Sequence, residues 1–98
     1  MKSLLYVDDE PINLQLIKLN LRKNYIVHTA ESGPKGLEIL STNHDISIVI
    51  SDMKMPIMSG LDFIRYARSK YDHIVYFILS GFEINDDIQA ALNNGDIA

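Results

Sequence analysis

The sequence predicts an α/β protein, a parallel sheet with helices on both faces. Three observations predict it. Short apolar runs alternate with segments of helical periodicity, strand then helix, four times over. Successive parallel strands then need right-handed crossovers, which the intervening helices supply. Three of the four runs also stop at a polar residue (Asp8, Asp52 and Ser80), as strands do when their C-terminal ends reach the edge where open sheets bind ligands.

Leu4 to Val7 is an apolar run halted by Asp8, Asp9 and Glu10, and reads as a buried strand whose end meets water. Pro11 suits the first turn of a helix, where its missing N–H costs little. Ile12, Leu16 and Leu19 follow at helical spacing, with Leu14, Ile17 and Leu21 widening the apolar stripe. Tyr25 to Thr29 is a second strand. Ser32 caps a helix through Leu40, with Leu37 and Leu40 facing inward. Ile46 to Ser51, rich in β-branched residues, is a third strand ending at Asp52. Met53 to Gly60 holds Pro56 and Gly60 and reads as a loop. Leu61, Ile64 and Ala67 mark a third helix with Arg68 turned outward. Ile74 to Leu79, six apolar residues in a row, is expected to be a strand buried on both faces. A fourth helix starts at Asn85 or Asp86, runs to about Asn93 and ends at Gly95.

The 98 residues make one domain, 1–98, with no repeat or linker. A net charge of −4 with nine scattered basic residues argues against a nucleic-acid surface. The absence of cysteine excludes disulfides and thiolate metal sites. The apolar run at the N-terminus breaks at Asp8, too early for a signal peptide or a membrane span, so the expectation is a soluble, cytoplasmic protein without a membrane partner.

Chemistry concentrates at the strand ends. If the first and third strands are neighbours, their ends lie about 5 Å apart, and Asp8, Asp9 and Asp52 share a small volume. Two like charges 4 Å apart repel by about 4 kcal/mol at an effective dielectric near 20. A hard divalent cation relieves this, and oxygen-only ligands favour Mg2+ over zinc or copper. A carboxylate beside such a cation can attack an incoming phosphoryl group, giving an aspartyl phosphate. The Ser80 hydroxyl could bond a phosphoryl oxygen from the other side. Simpler roles exist for each residue: Asp8 and Asp9 could cap the first helix, and Ser80 could be a turn residue. Asp62, Asp86 and Asp87 read as first-turn charges, and His28, His44 and His73 lack ligand-like spacing.

Tyr-Val-Asp-Asp-Glu-Pro at 6–11, Ser-Asp-Met-Lys-Met-Pro-Ile-Met-Ser-Gly at 51–60 and Ile-Leu-Ser-Gly at 78–81 together resemble the response-regulator receiver domains of two-component signalling. The resemblance spans essentially the whole chain. It implies a flavodoxin-like, doubly wound sheet with strand order 2-1-3-4-5. It implies that Asp52 accepts a phosphoryl group from a histidine kinase or a histidine phosphotransfer protein. It further implies Mg2+ held by Asp9, Asp52 and the backbone carbonyl of Lys54, with Asp8 acting through water, and phosphoryl oxygens met by Ser80 and the Gly81 N–H. The Lys54 side chain, at the rim, would influence hydrolysis of the phosphoryl group.

A haloacid-dehalogenase-type hydrolase would need an acid two residues after its nucleophile, where Lys54 stands, and no Gly-Lys-Ser/Thr phosphate loop occurs. The remaining alternative is a phosphorylation-incompetent pseudo-receiver acting as an interaction module. The family pattern also has a Lys ending a fifth strand, then a Pro and a last helix; none is found here. The chain is therefore expected to be a C-terminally incomplete receiver, of order 2-1-3-4, that binds Mg2+ with weak or absent phosphorylation. The uncovered Ile74–Leu79 edge, with no charge or proline inside it, is expected to self-associate as a homodimer or by exchange of an element. Sedimentation over a range of concentrations should show dimer growing in at the top of the range; a monomer throughout would refute it.

Overall fold

The computed structural model describes residues 1–79, 95 and 97. Its elements are β1 (Lys2–Val7), α1 (Pro11–Leu21), β2 (Tyr25–Ala30), α2 (Gly33–Thr42), β3 (Ile46–Asp52), α3 (Gly60–Lys70) and β4 (Val75–Leu79). The four strands are parallel in the order β2-β1-β3-β4, as expected for a flavodoxin-like sheet. The segment expected to form a fourth helix, Asn85 to Asn93, lies outside the described residues. Gly95, expected to end that helix, has φ +78°, a left-handed conformation that glycine adopts without steric cost.

Strand periodicity divides the apolar residues between the two faces of the sheet. Leu5 and Val7 of β1, Val49 of β3 and Tyr76 of β4 join the larger core, with Leu40 of α2 and Leu61, Phe63, Ile64 and Ala67 of α3. Ile97 is buried in the same core. Leu4 and Tyr6 face the other way and pack with Leu14, Ile17 and Leu21 of α1 and with Ile48 and Ile50 of β3. A bulge keeps this division consistent along β3. Ser3 pairs with Ile46 but Leu4 pairs with Ile48, so Ser47 is the extra residue. Ile46 and Val49 thereby both reach the larger core, although strict alternation would put them on opposite faces. The Ser47 hydroxyl is buried there without a hydrogen-bond partner.

Two expectations of burial need correction. The α1 residues Ile12, Leu16 and Leu19 are more than half exposed, and Leu14, Ile17 and Leu21 form the buried face. Both sets have helical spacing, so periodicity could not choose between them. The rotation is set by the three-residue link from β1 and by a bond from Asn13 Nδ2 to the Asp8 carboxylate. In β4, Val75, Phe77 and Leu79 are each about 40–50% exposed, so the strand is not buried on both faces. On that face α1 packs mainly over β2 and β1.

Caps and close approaches then place the functional end. The Ser32 hydroxyl accepts from Lys35 N–H (3.3 Å) at the start of α2, as expected. Ser59 does the same for Asp62 N–H (3.2 Å) at the start of α3, with Asp62 in the first turn. Gly60 N–H donates to the Met53 carbonyl (2.9 Å), which closes the loop between β3 and α3. A Cβ on Gly60 would collide with the Asp52 carbonyl oxygen and stand 3.0 Å from Met53 Cα. Gly60→Ala is expected to destabilise the protein by about 1–3 kcal/mol, because backbone must move to admit the methyl group. Urea denaturation checks this, and an unchanged midpoint would show that the loop yields freely.

Candidate functional site

The parallel pairing of β1 with β3 sets Val7 opposite Ser51, so Asp8, just past β1, and Asp52, the last residue of β3, stand side by side. One carboxylate oxygen from each of Asp8, Asp9 and Asp52 lies within 4.8 Å of the others. The sequence expectation that these three acids share a small volume is met. Asp8 is buried, while Asp9 and Asp52 are partly exposed.

Asp8 does not serve as the helix cap considered from sequence. The N-cap of α1 is Glu10, whose side chain makes no capping bond. The Asp8 carboxylate is instead gripped from three sides: Tyr6 Oη donates to Oδ2 (2.7 Å), Asn13 Nδ2 donates to Oδ2 (3.1 Å) and Glu10 N–H donates to Oδ1 (2.9 Å). Burial, then the bond to Asp8, push the Tyr6 phenol well above its ordinary value, so it remains a proton donor. Neither Tyr6 nor Asn13 was singled out from the sequence. The signal for Tyr6 was present: two residues before Asp8 on a strand, it shares the face of Asp8.

Asp52 accepts a bond from the Met53 N–H at Oδ1 (2.9 Å). Its carboxyl is nevertheless pushed above the ordinary carboxylate value, first by burial and then by the charge on Asp8, with Asp9 adding to this. The Met53 and Lys54 amides pull the other way without cancelling it. Lys54 lies in the loop with its side chain in solvent. Ser80 and Gly81 lie outside the described residues.

The loop after Asp52 is tightly turned. Met58 N–H donates to the Pro56 carbonyl (2.7 Å) across Ile57, which has φ +73°. This is a three-residue γ-turn of the rarer hand, strained for a β-branched residue. Ile57 itself is almost fully exposed. A cleft of about 400 Å3 opens beside the acids, lined by Tyr6, Asp8, Asn13, Leu16, Ile17, Asp52 and Leu79.

All-oxygen donors and three carboxylates held close together fit a hard divalent cation such as Mg2+. Thiolate and imidazole ligands, which suit zinc and copper, are absent from the cluster.

The family model for the response regulator receiver domain matches residues 4–97. The chain belongs to the response regulator receiver domain family. Among similar receiver proteins is the transcriptional regulatory protein GlrR of Escherichia coli, 36% identical over 94% of this chain and 21% of its own length. A receiver-domain protein from Clostridium thermocellum superposes with a TM-score of 0.83, at 36% identity, over 97% of this chain and 75% of that one. The response regulator TrrA from Thermotoga maritima, solved in complex with Mg2+ and BeF, gives a TM-score of 0.83 at 30% identity, covering 99% of this chain and 82% of that one. The receiver spans about a fifth of the length of the transcriptional regulators it matches. Among the described residues, no helix is long and apolar enough to cross a membrane.

The Asp52 shift has a stability consequence in the metal-free receiver. Because the folded protein raises this carboxyl, its contribution to stability is fully present below the unfolded value and is lost as pH rises through the folded value. Asp52→Asn should therefore raise the melting temperature by a few degrees at neutral pH in the presence of chelator. The gain should vanish in acid, where Asp52 is protonated anyway. Thermal melts at both pH values check this; an equal gain at both would mean that charge is not the cause.

Proposed function

We propose that this receiver accepts a phosphoryl group on Asp52 from a histidine kinase or a histidine phosphotransfer protein, in an Mg2+-dependent step that switches an output. The observation that carries the reading is the meeting of Asp8, Asp9 and Asp52 within 4.8 Å at the ends of β1 and β3. Asp9, Asp52 and the backbone carbonyl of Lys54 would hold Mg2+, with Asp8 acting through water. The cation supplies charge neutralisation and polarises a phosphoryl oxygen. An Asp52 oxygen attacks phosphorus, the P–O bond forms as the P–N bond of phosphohistidine breaks, and the bonding pair returns to the imidazole nitrogen. Ser80 and the Gly81 N–H are assigned to the phosphoryl oxygens by the family pattern alone.

A receiver is a signalling domain and not a conventional enzyme, so its chemistry is limited to taking up and losing this one group. The site at which this happens is assigned to the cytoplasm, where the phosphodonor kinase domains work. The output of the whole protein would be set by whatever else it carries, and transcriptional control is the role named for several relatives. The exposed Val75, Phe77 and Leu79 side chains on β4 support the homodimer or element exchange expected from the sequence.

Incubation with acetyl phosphate and Mg2+, followed by intact mass and peptide mapping, tests the reading. Labelling is expected to be weak, to fall on Asp52, and to be lost in Asp52→Asn or on chelation of Mg2+. Labelling that survives Asp52→Asn would overturn the assignment. No labelling under any condition would favour the phosphorylation-incompetent interaction module.

A further inference from the structure

We propose that Tyr6 and Asn13 are positioning residues that hold the Asp8 carboxylate in the orientation needed for divalent-cation binding. The inference rests on the reading of the three acids as a cation site and adds to it the groups that shape that site. An ionised carboxylate has about four acceptor positions. At Asp8 three are taken, two on Oδ2 by Tyr6 Oη and Asn13 Nδ2 and one on Oδ1 by Glu10 N–H. The remaining capacity is on Oδ1. Asp8 therefore faces the cation, or a water on it, through one oxygen whose direction is fixed.

Tyr6 is the stronger of the two holders. It is 3% exposed and Asp8 is 2% exposed, so their bond at 2.7 Å is shielded from water. Burial strengthens a hydrogen bond to a charged acceptor and makes its loss costly. The phenol ring itself packs with Leu4 and Leu14, a role that a phenylalanine ring would fill equally well. The hydroxyl is what the ring adds, and it is spent on Asp8. Asn13 is exposed, its bond is longer at 3.1 Å, and it sits on α1. The two holders thus come from different elements, and each ties Asp8 to the neighbour on which it must stay registered.

Groups that orient metal ligands from behind typically change metal affinity by about 10–100-fold when removed. Mg2+ affinity measured by isothermal titration calorimetry, well below the melting temperature, is expected to weaken within that range in Tyr6→Phe and by less in Asn13→Ala. Ile48→Val, which trims the same apolar cluster without touching Asp8, provides the structural control and should keep the affinity of the unmodified protein. Circular dichroism of each variant establishes that it is folded. If Tyr6→Phe binds Mg2+ as tightly as the unmodified protein, the positioning role is overturned while the cation site stands. If Ile48→Val weakens binding as much as Tyr6→Phe, packing and not the hydroxyl is responsible, which also overturns it. If the unmodified protein takes up no Mg2+ at all, the cation site and the positioning role fall together.

Discussion

The parallel pairing of β1 with β3 is the constraint on which the rest of the site depends. With Val7 opposite Ser51, the chain cannot avoid setting Asp8 beside Asp52, and Asp9 follows from the next position. Apolar burial along both strands drives the pairing, with Leu5, Val7 and Val49 fully buried. The free energy of the core thus brings together charges that repel one another. The protein offsets part of that repulsion with fixed donors: Tyr6, Asn13 and Glu10 N–H at Asp8, and the Met53 and Lys54 amides at Asp52. Burial first, and then the charges on Asp8 and Asp9, still hold the Asp52 carboxyl above its ordinary value. A site left short of positive charge in this way favours whatever brings that charge, and stability becomes linked to its binding.

The β3–α3 loop is shaped by the same junction. Gly60 has no Cβ, so the start of α3 can press against the Asp52 carbonyl, while its own N–H closes onto Met53. Gly33 at the start of α2 leaves similarly little room against the Met58 side chain, whose sulfur would stand 2.6 Å from an added Cβ. The loop is therefore held at its base and at Met58. The strained turn at Ile57 lies between Pro56 and Met58, at a side chain in solvent. Backbone strain persists only where surrounding structure over-determines it, and here the anchors on either side supply that determination.

How far the sequence could be read follows from which signals are local. The strand ends were legible because an apolar run stopping at an acid is a signal within a few residues, and Asp8, Asp9 and Asp52 did converge. Element order was legible for the same reason. The facing of α1 was not, because Ile12, Leu16 and Leu19 match helical spacing as well as Leu14, Ile17 and Leu21 do; only the link to β1 and the Asn13–Asp8 bond decide. The bulge at Ser47 was also hidden, since it is a property of pairing with β1 and leaves no mark in β3 alone. Six consecutive apolar residues at Ile74–Leu79 suggested burial on both faces, yet apolarity records what a strand can bury and not what is present to cover it. Tyr6 was read as part of an apolar run and of the acidic motif at 6–11, with no role for its hydroxyl. Strand alternation does set Tyr6 on the face of Asp8, but the 2.7 Å bond between them is seen only in the structure.

The uncovered face and the acid cluster are not separate features. Leu79 pairs with Asp52 across β3 and β4, and both line the cleft that Leu16 and Ile17 of α1 bound on the other side. Parallel sheets are ordinarily covered on both faces, so the apolar side chains of Val75, Phe77 and Leu79 favour any body that removes them from water. Such a body would stand over the strand end that carries Asp52, next to the charges that the donors leave uncompensated. If its fit differs between the charged, neutralised and phosphorylated states of that site, its affinity must depend on that state. By linkage it would then alter the affinity for cation or phosphoryl group by the same factor. Such coupling needs no long-range path through the core, because the two surfaces share an edge of the same cleft.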